Sequence, residues 1–221
     1  MVILFWSFPL PCKILKIITM QISHVVSDLV LAAAGAYAFF RYFSRLELRL
    51  ALLWGVFLIP VSLAALFGAL RFAGVHGSMV DISSFFQVVA TILGSSGLML
   101  GGFGLIAKDR LQTWSVVVFL VGGFFLWAMV AMFEVNSVRN LMPMIAMACL
   151  IVFGMAAFWL GRKKTGLFLL LGVGLSAMAV WAIGSLSNQT LRIDVYHFLL
   201  AASLISFAMA AKFRLVDRPT E

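Results

Sequence analysis

QISHVVSDLVLAAAGAYAFF (21–40), RYFSRLELR (41–49) and LALLWGVFLIPVSLAALFGALRF (50–72) decide the fold. Two apolar runs, each about the 20 residues needed to cross a ~30 Å hydrocarbon core, flank a short connector that carries Arg41, Arg45 and Arg49. That is a membrane hairpin. Working outward, five more runs of spanning length follow at 82–106, 114–133, 141–161, 166–186 and 194–213. The connections between them are short and hold the breakers and charges: AGVHGSMVD, AKDRLQT, EVNSVRN, GRKKTG and SNQTLRI. Short loops predict sequential helices that pack as antiparallel neighbours, and they leave no room for a soluble domain.

Composition agrees. The 221 residues are 64% hydrophobic and 11% charged, with 21 Phe, 12 Met and 6 Trp, and the mean hydropathy is +1.13. No soluble domain of this size hides that much apolar surface. The predicted class is an all-α integral membrane protein, a seven-transmembrane-helix bundle over 21–213 with a tail at 214–221, multi-pass in the plasma (inner) membrane. Residues 1–20 read as an interfacial segment, because MVILFWSFPLPC is too short to span and its prolines oppose a continuous helix. Met20 is the alternative start.

The net charge of +8 does not point to nucleic acid, because the Lys and Arg sit in loops between apolar runs, as orientation signals do. One side of the bundle collects Arg41, Arg45, Arg49, Lys108, Arg110, Arg162, Lys163, Lys164, Lys212, Arg214 and Arg218. The other has Lys13, Lys16, Arg71, Arg139 and Arg192. The positive-inside rule places the first set in the cytoplasm, with the N-terminus outside and the C-terminus inside. Cys12 and Cys149 form no CxxC and carry no redox signal. The partners this implies are membrane lipids. Gly101, Gly102 and Gly104, with Gly172 and Gly174, mark close helix contacts and leave a homo-oligomer or a membrane-protein partner open. Pro60 predicts a kink in the second helix.

All three histidines, His24, His76 and His197, fall where an apolar run meets an outer loop. Asp28 follows His24 by four residues and Asp194 precedes His197 by three, so each pair shares a helix face. Asp81 opens the third helix on the same side. Ionisable groups are costly at membrane depth and usually carry function. On the third helix Ser84, Gln87, Thr91 and Ser95 recur at helical spacing and are expected to face inward. They either line a cavity together with Asp81 or bond neighbouring helices.

Three imidazoles and a water are a common catalytic zinc set. His24, His76 and His197 are the candidate metal ligands. Asp28 and Asp194 are the candidate catalytic carboxylates, orienting an imidazole or activating water. On HVVSD (24–28) and DVYH (194–197) the chain resembles a group of uncharacterised bacterial seven-helix proteins. More distantly it resembles the superfamily of alkaline ceramidases and progestin/adipoQ receptors, whose members hold an intramembrane zinc on three histidines. The resemblance implies a zinc-dependent hydrolase acting on a lipid amide or ester. The chain departs from those families at two positions. Ala201, not histidine, lies four residues after His197, and Phe72, not serine, lies four before His76. The residues alone also suit a proton- or ion-coupled transporter or channel, or a non-enzymatic sensor or structural subunit.

Overall fold

The computed structural model describes residues 12–75, 77–107, 111–133 and 135–216, with backbone only for 12–20. The described residues form helices and no strand. Seven helices are long and apolar enough to cross a membrane, as a multi-pass membrane protein requires. They are α1 (Cys12–Arg41), α2 (Leu48–Phe72), α3 (Met79–Ile106), α4 (Thr113–Phe133), α5 (Asn136–Trp159), α6 (Lys163–Ser185) and α7 (Gln189–Val216).

The starts and ends differ from the expected spans by helical turns that run on into loop sequence. The first helix begins at Cys12, so the backbone of 12–20 continues into the expected span from Gln21. Residues 1–11 and the last five of the tail lie outside the described residues. The last helix continues to Val216.

Packing corrects the expectation of strictly sequential neighbours. Helices α1, α2, α3, α5, α6 and α7 close a six-membered ring in which α7 returns beside α1. Helix α4 sits outside this ring, mainly against α3, and scarcely touches α5. Its sequence allows this. It is apolar all round, and Trp114, Val118, Val121, Phe124, Phe125 and Met132 are exposed, which suits a helix bathed in lipid.

The ring is filled at one end. Phe43, Trp54 and Phe207 are fully buried, with Phe43 stacked on Trp54 at 4.4 Å and Trp54 tilted against Phe207 at 5.5 Å. Leu50, Leu53, Leu105 and Leu204 complete this plug. Glycines admit it. A side chain at Gly102 would strike Leu150, one at Gly104 would strike Leu50, and one at Gly172 would strike Phe207. Gly174, expected in the same role, faces open space. The arginines at this end also cap the chain. Arg162 donates to the carbonyl oxygens of Ile106 (2.8 Å) and Leu105 (3.3 Å), which the end of α3 leaves without helical partners. Arg49 donates to Leu111 O just beyond.

Candidate functional site

The opposite end of the ring is polar. Helices α1 and α7 run in the same direction through the bundle, so one turn of each lies level with one turn of the other. SHVVSD (23–28) therefore meets DVYH (194–197) rung by rung. On the upper rung His24 Nδ1 donates to Asp194 Oδ1 at 2.9 Å. One turn deeper, His197 Nδ1 lies 3.1 Å from Asp28 Oδ1. The pairs predicted along each helix are thus exchanged between helices: each histidine takes the aspartate of the other helix.

Two serines lock this ladder. Ser23 Oγ donates to Asp194 Oδ2, and Ser27 Oγ donates to Asp194 Oδ1 at 2.8 Å. Ser27 Oγ is also 3.3 Å from His197 Nδ1, so it bridges the rungs. Asp194 thereby receives three donors, the condition under which a buried carboxylate is tolerated. His24, Ser27, Asp28 and Asp194 are all buried, at 6%, 0%, 4% and 7% exposure. These numbers matter because an unpaired charge at such burial would cost several kcal/mol.

The surrounding residues fix the positions. Phe72, at the end of α2, lays its ring 4.9 Å from that of His24. Gly68, one turn earlier, leaves the space that the Asp28 carboxylate fills; a Cβ there would stand 2.7 Å from Asp28 Oδ2. Glycine is therefore needed at 68 for clearance rather than for an unusual backbone angle.

Below the ladder a cavity of about 720 Å³ opens into the ring. Asp28 and His197 stand in its wall with Arg71, Arg139, Gln87 and Tyr196, and deeper in it is lined by Leu31, Phe57, Val61, Leu98, Met147 and Val173. Its size is that of a small-molecule site, about 300–1,000 Å³. Its lining reaches Phe57, one turn of α2 from Trp54 in the aromatic plug.

Gln87, Thr91 and Ser95 line the cavity as the stripe predicts, but Ser83 takes the place expected for Ser84. Ser84 and Asp81 are exposed and outside the lining. Packing rather than phase decides this: Ser83 is buried against α2, although steps of four residues drift by about 40° each in an α-helix of 3.6 residues per turn. The wider π-turn at Ala90–Gly94 takes back that drift and keeps Ser95 on the same face. Ser83 Oγ donates to Ala64 O, tying α3 to α2.

His76 lies outside the described residues. Among the described residues no group of three or more His, Cys, Asp or Glu is placed to hold a metal ion. The donor chemistry nonetheless suits one. A carboxylate only accepts, so the hydrogen bond of His24 to Asp194 places the ring proton on Nδ1 and turns the Nε2 lone pair of a neutral imidazole outward. Carboxylate–histidine pairs of this form are the usual outer support of metal-binding histidines, and equally of a histidine that takes a proton from a substrate or water.

Ser23, Ser27, Gly68, Arg71 and Arg139 were not singled out from the sequence as site residues. A signal existed for the serines: 23 and 27 repeat the four-residue interval of 24 and 28. Comparison with protein-family models, with characterised proteins and with solved structures finds no match.

Proposed function

We propose that the protein is a zinc-dependent membrane hydrolase acting on a lipid amide or ester. One observation carries this reading: two imidazoles each meet a carboxylate through Nδ1, and one of these pairs, His197 with Asp28, stands in the wall of a cavity of about 720 Å³. His24 and His197 would hold the ion through Nε2, with His76 as the third ligand. Zinc in such a site supplies a Lewis acid and a water acidified to a pKa of about 7.

The two aspartates divide their roles. Asp194 is saturated by Ser23, Ser27 and His24, so it orients His24 and takes no further proton. Asp28 pairs with His197, accepts no serine hydroxyl, and stands in the cavity wall, so it is the carboxylate able to receive a proton from water. The apolar depth of the cavity takes the acyl chain and excludes bulk water from it.

The excess of basic residues at the plugged end orients this site to the outer face of the membrane, with the C-terminus inside. The same plug argues against a path through the bundle, and so against the reading in which the histidines relay protons for transport.

The test is fatty-acid release from acyl ester and amide substrates by reconstituted protein. His197→Ala and Asp28→Asn should abolish release. Release that persists in both variants would remove the proposal.

A further inference from the structure

In the His–Asp ladder each carboxylate meets an imidazole. The cavity wall adds two cations. Arg71 and Arg139 both line it; the charge of Arg71 acts on Asp28, and neither guanidinium forms a close ion pair with a carboxylate among the described residues. Arg71 is held in place: its guanidinium lies 4.3 Å over the Phe72 ring, whose own ring packs against His24. Two cations thus line a cavity whose deeper wall is apolar, with Arg71 beside the ladder. Guanidinium groups match phosphate oxygens in paired hydrogen bonds.

The geometry points to an amphiphile with a phosphate-ester head as the ligand of this cavity. The phosphate sits between Arg71 and Arg139, and the acyl chain runs past the ladder toward Leu31, Phe57 and Leu98. This inference names the substrate class and rests on the hydrolase reading for its purpose, but binding alone decides it.

The experiment is equilibrium binding of a fluorescent 1-acyl lysophosphatidic acid to the full-length protein in a neutral detergent. It is compared with the fluorescent monoacylglycerol of the same chain, which lacks only the phosphate. The phosphorylated probe should bind at least tenfold more tightly. Arg139→Gln and Arg71→Gln should each remove most of that advantage. Arg192→Gln should not, since Arg192 carries the same charge on the same face, stands outside the cavity lining and reaches Ile183 O instead. Arg139→Lys, which keeps the charge and loses the paired geometry, should fall between.

Equal affinity for the two probes overturns the inference. So does an Arg192→Gln loss as large as that of Arg139→Gln, which would mean general surface attraction. Inorganic phosphate that competes as well as the lysophospholipid would show a site for free phosphate and would also overturn it. If Arg71→Gln does not fold, Arg139→Gln and the probe pair still decide. Tight phosphate-dependent binding without fatty-acid release would sink the hydrolase reading alone. Release from neutral lipids with no phosphate preference would sink this inference alone.

Discussion

Alanine at position 68 adds one methyl group beneath the Asp28 carboxylate. The ideal Cβ stands 2.7 Å from Oδ2 and 3.3 Å from Cγ, whereas ordinary contact begins at 3.4 Å. The carboxylate or α2 must therefore give way by about 0.7 Å, the difference between 2.7 and 3.4 Å. Asp28 has little room, because it is 4% exposed and set at 3.1 Å from His197. Overpacking of this kind costs about 1–3 kcal/mol, and displacement of an aligned group by a fraction of an ångström to 1 Å costs roughly 10- to 100-fold in function. Gly68→Ala should accordingly lower the melting temperature and reduce zinc affinity and lipid hydrolysis by roughly 10- to 100-fold. Chelator competition reads the affinity, and thermal unfolding in detergent reads the stability. Gly174→Ala is the control. Its Cβ meets nothing within 4 Å, so it should be neutral or stabilising by up to about 1 kcal/mol through helix propensity. Wild-type zinc affinity and stability in Gly68→Ala would refute the placement of Asp28.

Asp194→Asn keeps the shape but loses the charge that three donors face. It should cost about 1.5–3 kcal/mol in thermal unfolding, and it should weaken metal binding by about 10- to 100-fold while leaving the cavity's lipid binding intact. Trp54→Ala empties the middle of the plug and should cost about 3–5 kcal/mol by the same unfolding assay. Its effect on zinc content should be small, since Trp54 packs at the far end from the ladder. A fluorescent protein fused after Glu221 should report a cytoplasmic C-terminus, whereas a periplasmically active reporter there would reverse the proposed orientation.

The seven spans were legible because unbroken apolar length is the strongest signal a helix carries, and all seven expected runs fall within observed helices but for residues at a few ends, such as 160–161 and 186. The position of α4 outside the ring was not legible, because an all-apolar helix reads the same whether it meets lipid or protein. Within the site, the four-residue interval of His24 and Asp28 placed both groups on one face. Which partner each would choose depends on the level at which α7 passes α1, a tertiary fact with no local signature. The polar stripe on α3 was found with Ser84 where Ser83 belongs. The π-turn at Ala90–Gly94 ends where α3 packs closely on α2, a Cβ at Gly94 standing 3.0 Å from Phe57 Cα. Arg71 and Arg139 counted as orientation charges. Only the ring closure shows that both face the cavity.

Metal content tests the central claim most directly. Full-length wild-type protein, purified without chelators and analysed by elemental mass spectrometry, should contain about one zinc per chain, and His24→Ala and His197→Ala should each lose it while remaining folded. A metal-free wild type with its histidines intact, or undiminished zinc in both variants, would contradict the account.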